Sequence, residues 1–444
     1  MNLPSPTQPL RVLVLAALAA LSGTAGAQSL KELYDAARSY DATYLSARAQ
    51  AESTRYKVEQ ADALNRPGVK LTGSATEARV TPPSGTNLSS HKQDASLGAS
   101  YALYNRSNSA TISQAGKAQA LAQADLALAE QDLIVRVAQA YFDVLAAQDT
   151  LATAQANKKA IAEQLASAKR NFEVGSATIT DTREAQARHD LASAQEIAAD
   201  NDLRTKHIAL DQLIGRPGIA PRPLIQPVVL PNLAADSVET WVGKTEDAPS
   251  VGKAKLALDV ARLEIDKARA ADGPTLDAVG SYTLSRSTGT AITVSGAREG
   301  TTRTAAVGLQ FAMPLYTGGA TGSRIQETLK LEEKSLNDLE AARRGVAQAT
   351  RQVYFGVQSG TVQVKALEAA ESSSKLALEA TQLGYKVGVR VNLDVLNAQT
   401  QLFSTQRDLA KARYDVLVNS LKLRQASGTL TEADVETVNA LLQK

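Results

Sequence analysis

"ASLGASYALY", residues 95–104, places Ala95, Leu97, Ala99, Tyr101 and Leu103 at alternate positions, with small or polar residues between most of them. Successive side chains of an extended strand point to opposite faces, so a period of two predicts a strand with one apolar and one polar face. Upstream, across the polar loop "VTPPSGTNLSSHKQ", Val69, Leu71, Gly73 and Ala75 carry the same alternation, and the two runs predict strands over 67–79 and 92–104. The pattern returns in the second half of the chain as Leu276, Ala278, Gly280, Tyr282 and Leu284, then as Ala305, Val307, Leu309, Phe311, Met313 and Leu315. These runs predict strands over 274–287 and 303–316.

Each strand pair sits in the same succession of patterns. At a constant offset of 213, Tyr141-Phe142 matches Tyr354-Phe355, Val174-Gly175 matches Val387-Gly388, Asp181 matches Asp394, and Gly215 matches Gly428. The chain is therefore one unit written twice, and two units are too few for a solenoid. Each unit opens with a helix, from Ser29 to about Leu64 and from Asp236 to about Ala271, signalled by the capping boxes Ser29-x-x-Glu32 and Asp236-x-x-Glu239. After the first strand pair, residues 108–174 contain no proline and Gly116 alone among glycines, which predicts a helix roughly 100 Å long. Heptad spacing through Leu126, Leu133, Ala140, Ala147, Ala154, Ile161 and Ala168, and through Val137, Val144, Leu151, Leu165 and Phe172, predicts a close-packed seam. A turn at Gly175 leads to a return helix over 181–214. The copy runs from Arg324 to Tyr385, turns at Gly388 and returns over 394–427.

The first residues carry Arg11, the apolar run Val12–Leu21 and an A-x-A signal at Ala25 and Ala27, the pattern of a secretory leader over 1–27. No later stretch has the roughly 18–20 apolar residues of a spanning helix. The chain has no cysteine, which excludes disulfides, thiolate metal sites and a lipidated Cys at the cleavage point. Lys and Arg number 48 against 46 Asp and Glu, so no basic excess points to nucleic acid. His91, His189 and His207 lack metal-ligand spacing. "YTGGATGS", residues 316–323, lacks the Lys-Ser/Thr of a phosphate loop, and no nucleophile and base come together. The expectation is no enzyme, no metal and no cofactor. The domains expected are the leader 1–27, a first repeat 28–216, a Pro-rich linker 217–235, a second repeat 236–428 and a C-terminal segment 429–444.

Four strands of about ten to thirteen residues in an exported chain have the length and alternation of membrane-barrel strands. Four cannot close a barrel, and an open edge in lipid leaves backbone groups unpaired at several kcal/mol each. Copies must pool their strands, and eight, twelve or sixteen strands all remain open on this ground.

The motifs "AYFDVLAA", "FEVGSATITD", "PLYTGG", "GYKVGVR" and "DVLNAQT", with the order of patterns over essentially the whole mature chain, resemble the TolC-like outer membrane channel-tunnels of Gram-negative bacteria. The resemblance implies an α+β membrane protein: a trimeric twelve-stranded β-barrel continuous with a long α-helical coiled-coil tunnel in the periplasm. Segments 217–235 and 429–444 would form an equatorial belt. It also implies a passive exit channel for proteins or small molecules, a homotrimer in outer membrane lipid. A periplasmic adaptor and an inner-membrane ABC or proton-driven transporter would be its partners. The alternative is a periplasmic coiled-coil adaptor or structural protein of an export complex. By the same resemblance, Thr180 and Asp181 on one helix pair and Tyr385 and Arg390 on the other form the periplasmic gate, next to the turns at Gly175 and Gly388. Asp394 would face the constriction, and the family's second acidic position, one helical turn on, falls on Asn397. The residues alone also fit plain helix ends, with glycines after C-termini and acids in first turns.

Overall fold

The computed structural model describes residues 27–81, 83, 85, 87–176, 178–231, 237–294 and 298–443. The expected leader, apart from Ala27, and the expected cap Asp236 lie outside the described residues. In chain order the elements are α1 (Leu30–Tyr40), α2 (Ala42–Asp62), β1 (Gly68–Val80), β2 (Leu88–Tyr104), α3 (Arg106–Glu173), α4 (Ile179–Ile214), α5 (Val238–Gly243) and α6 (Pro249–Ala270). They continue with β3 (Thr275–Thr288), α7 (Thr290–Val294), β4 (Gly300–Ala312), α8 (Ala320–Lys386), α9 (Asn392–Ala426) and α10 (Glu432–Asn439).

Two of the expected helices are broken, each for a local reason. The helix expected from Ser29 to Leu64 stops at Asp41, whose backbone is extended at φ −60° and ψ 116°. The Asp41 carboxylate accepts the Tyr44 N–H at 2.8 Å and both terminal nitrogens of Arg136 at 2.9 and 3.0 Å, so it ends α1 and caps α2. The helix expected over 236–271 divides at Pro249, which has no N–H to give and takes the first position of α6. Ser237 caps α5, its hydroxyl accepting the Thr240 N–H. By contrast α8 runs unbroken through Gly345, Gly356 and Gly360.

The strands also shift at their ends. β2 starts at Leu88 rather than 92, because the polar residues Ser89–His91 stay paired with β1 in register, Val80 opposite Leu88. β4 spans 300–312 rather than 303–316, ending before Pro314, which cannot continue a ladder.

The molecule divides into two compact units. One holds residues 46–128 and 246–346 and contains the strands. Its sheet is antiparallel in the order β1-β2-β3-β4, with an irregularity at Ala102/Tyr104. One face carries the apolar alternation and stands open: Val307 is 95% exposed and Leu71 75%. The other face is polar and bonded across strands, Ser96 to Thr283 at 2.8 Å and Ser74 to Asp94 at 3.4 Å. β1 and β4 have no further strand partner among the described residues. In the same unit Ala248, which precedes α6, and Val251 and Leu258 of α6 pack on Leu339 of α8.

The other unit holds the described residues among 27–45, 129–245 and 347–443. Leu133, Val137, Val144, Ala147, Ile161, Leu165 and Ala168 of the α3 seam are buried, as the heptads predict. Leu126, Ala140, Leu151 and Ala154 of the same seam are half-buried, and Phe172, at the helix end, is exposed. Tyr141 and Phe142 are fully buried; Phe142 meets Tyr141 edge-on at 5.4 Å and stacks on Tyr414 at 5.7 Å. Their copies part company: Tyr354 is buried with Trp241, Val357 and Leu423, whereas Phe355 is exposed. A belt of irregular chain closes this unit, with Gln28 bridging Pro221 and Leu224 bridging Leu442. The Tyr141 hydroxyl fastens the belt to α3 by donating to the Arg222 carbonyl at 2.9 Å.

Candidate gate at the helix turns

Both long helices end in the same hydrogen-bonded turn. After α3, Gly175 (φ 77°) donates to the Phe172 carbonyl at 3.0 Å and Ser176 donates to Asn171 at 2.8 Å. After α8, Gly388 (φ 81°) donates to Tyr385 at 3.1 Å and Val389 donates to Gly384 at 2.9 Å. This pair of bonds, one reaching back three residues and one five, defines a Schellman end and requires a left-handed residue. Only glycine takes that conformation without a Cβ penalty, which accounts for the duplicated Val-Gly.

The helices that leave the turns are capped differently. In α4 the Thr178 hydroxyl accepts the Asp181 N–H at 3.2 Å, and the Asp181 carboxylate accepts the Thr178 N–H and hydroxyl at 2.9 and 2.8 Å. The Asp181 carboxylate is thus engaged in its own cap. In α9 the cap position is Val391, which has no acceptor. Among the described residues Asp394 accepts the Val391 N–H, at 3.4 Å, and faces Arg390 one turn back at 3.7 Å. The stem of Arg390 lies over Gly384, where a Cβ would come within 2.8 Å of its Cγ.

Two hydrogen bonds tie the α3/α4 hairpin to the α8/α9 hairpin near these turns. Asn171 Nδ2 donates to the Tyr385 hydroxyl at 3.2 Å, and Arg188 Nη2 donates to Asn397 Oδ1 at 3.0 Å. Beneath them Ile161, Leu165 and Ala168 of α3, Ala185 and Ala192 of α4 and Leu396 of α9 form an apolar cluster. Within the chain, then, Tyr385 meets Asn171 rather than Thr180 or Asp181, and Arg390 meets Asp394. Thr180 stands exposed on the first turn of α4. Asn171 and Arg188 were not among the residues singled out from the sequence. The signal for each was positional: Asn171 follows the seam residue Ala168 by three, and Arg188 follows Asp181 by seven, so each repeats a helix face.

Among the described residues no helix is long and apolar enough to cross a membrane. Two long helical hairpins, a four-stranded amphipathic sheet and paired glycine turns, all in one duplicated chain, decide the family. The chain belongs to the outer membrane efflux protein family. The family match covers residues 33–216 and 245–429. Outer membrane protein TolC of Vibrio cholerae is 35% identical over 437 residues, covering 98% of each chain. Alkaline protease secretion protein AprF of Pseudomonas aeruginosa is 36% identical over 313 residues, 70% of this chain and 64% of that protein. Among solved structures, the Campylobacter jejuni CmeC outer membrane channel superposes with a TM-score of 0.76 at 16% identity, covering 93% of this chain and 90% of its own. This family member is an outer membrane exit channel whose helical part lies in the periplasm, and the reading as a periplasmic adaptor falls away.

Proposed function

We propose that this channel works as a homotrimer. Its sheet would close as a twelve-stranded barrel, and its helical hairpins would build a tunnel that a periplasmic adaptor joins to an inner-membrane ABC or proton-driven transporter. The channel itself would be passive, conducting proteins or small molecules. The observation that carries this reading is the sheet: β1 and β4 leave their outer backbone groups unpaired among the described residues, on an element whose apolar face is open. Such edges are untenable in lipid unless copies pair them. Secretion of proteases is supported by AprF and by the proteases secretion protein PrtF of Dickeya chrysanthemi, 31% identical over 324 residues.

The gate proposed at the tip comprises Thr180, Asp181, Tyr385, Arg390, Asp394 and Asn397, to which the geometry adds Asn171 and Arg188. The 1–27 leader, the two repeats and the equatorial segments 217–235 and 429–444 complete the proposed organisation. The test of assembly is the oligomer in mild detergent. The protein should run as a trimer that dissociates on heating with loss of strand signal. A monodisperse monomer keeping its full strand content would overturn the pooled barrel.

A further inference from the structure

The apolar band of the sheet has slanted borders. On the apolar face its last residues toward the loop ends are Ala75 on β1, Ala95 on β2 opposite Gly73, Leu284 on β3 opposite Ala95, and Ala305 on β4 opposite Tyr282. The border therefore drops along the strands in passing from β1 to β4. Strands of a closed barrel tilt by about 35–45°, so a border that is level with the membrane must drop in this way across successive strands.

Just beyond that border, on the same face, runs a diagonal of basic side chains. Arg79 lies two residues above Glu77, which faces His91; His91 faces Thr288, and Arg286 lies two residues below that; Arg286 faces Thr301, and Arg303 lies two residues below in turn. Each is thus the diagonal neighbour of the next, about 7–8 Å apart by strand geometry. The diagonal descends in the same sense as the border and stays one or two outward positions beyond it on every strand. All four side chains are exposed, and Glu77, 4.0 Å from Arg79, is the acid among them. Near the opposite border the outward face instead carries the aromatics Tyr101 and Phe311. Because the helices lie in the periplasm, the basic end meets the outer leaflet.

We propose that Arg79, His91, Arg286 and Arg303 form a phosphate-binding girdle for the anionic glycolipid of the outer leaflet. Guanidinium groups donate paired N–H bonds to phosphate oxygens, and their stems can lie along the apolar band while the heads stay at headgroup depth. The inference rests on the barrel reading, which the heat-dissociable trimer reads independently of lipid.

The test is native mass spectrometry of the detergent-purified full-length channel with the diphosphorylated lipid core of lipopolysaccharide, the same lipid after dephosphorylation, and inorganic phosphate. Wild type should retain the diphosphorylated lipid and lose most of that retention with the dephosphorylated form. The triple variant Arg79→Gln, Arg286→Gln, Arg303→Gln should lose about a hundredfold, since each basic residue near an anionic surface contributes roughly a factor of five. Lys70→Gln, on the polar face, should change nothing. Equal retention by wild type and triple variant would overturn the girdle, as would retention indifferent to dephosphorylation. Displacement of the lipid by millimolar inorganic phosphate would reduce it to a simple anion site. Should the triple variant fail to form a trimer, the wild-type comparison of the two lipid forms decides alone.

Discussion

Arg188 and Asn397 are about two hundred residues apart in sequence and 3.0 Å apart in space. A guanidinium donating to a neutral amide forms a moderate bond, whereas the same guanidinium facing a carboxylate forms a charge-assisted pair roughly twice as strong. The acid that the family places at this position would therefore pair with Arg188 here, not stand free in the lumen. Asn397→Asp is expected to hold the two hairpins together more firmly, by about 1 kcal/mol in each protomer, and to lower the open probability in planar bilayers. Arg188→Gln should raise it, and in the Arg188→Gln background Asn397→Asp should lose its closing effect. If Asn397→Asp closed the channel equally with and without Arg188, the pair would have no part in gating. Tyr385→Phe tests the second tie. It removes the hydroxyl that accepts from Asn171, worth about 0.5–1.5 kcal/mol per protomer, and conductance should rise. These ties were invisible in the sequence because each joins residues on different repeats, and nothing in either helix marks its partner.

The break between α1 and α2 shows where pattern reading stops. Periodicity carries on through residues 29–64, and only the side chain of Asp41, buried and paired with Arg136 of α3, reveals that one hydrogen-bonded ladder has been traded for another. The hydrogen bond from Arg136 holds the Asp41 carboxyl below its ordinary range, against burial, which pushes it up. A carboxyl whose folded-state value is depressed adds stability that is fully present above its unfolded value, near pH 4, and that is lost as pH falls through the folded value. Asp41→Asn should thus cost about 1–3 kcal/mol at pH 7, read as a lower dissociation temperature of the trimer. The gap from wild type should close as pH falls through the depressed folded-state value. A gap that persisted unchanged into acid would mean that the loss comes from packing alone. The strands and long helices were legible beforehand because their periods, two and about three and a half, are written in every turn. The belt was legible only through the family resemblance, since its contacts join residues 28, 221, 224 and 442 through backbone bonds that no side-chain pattern records. Duplication preserves the Tyr-Phe pair in sequence but not its environment, since Phe142 is buried and Phe355 exposed.

What the assembled channel conducts depends on charge at its narrowest point, and in the proposed trimer that point is set by Asp394. The two repeats are not equivalent there. Asp181 gives its carboxylate to Thr178, whereas Val391 asks only one 3.4 Å bond of Asp394, which leaves that carboxylate half-exposed beside Arg390. Three bare carboxylates roughly 6 Å apart would repel by about 3 kcal/mol per pair at an effective dielectric near 20. An arginine at 3.7 Å from each would offset that repulsion, so the proposed ring would tolerate its three acids while Arg390 stays in place. Removing Arg390 should then do two things together, loosening the tip and uncovering negative charge. Arg390→Ser is expected to raise single-channel conductance, shift the reversal potential further toward cation selectivity and tighten block by a trivalent cation. Asp394→Asn should nearly abolish both selectivity and block while changing conductance less. The comparison must hold ionic strength fixed, because at 0.1 M salt screening acts within about 10 Å. If Asp394→Asn left reversal potential and block at wild-type values, the carboxylate would not line the conduction path. The constriction would then have to lie elsewhere along the helices.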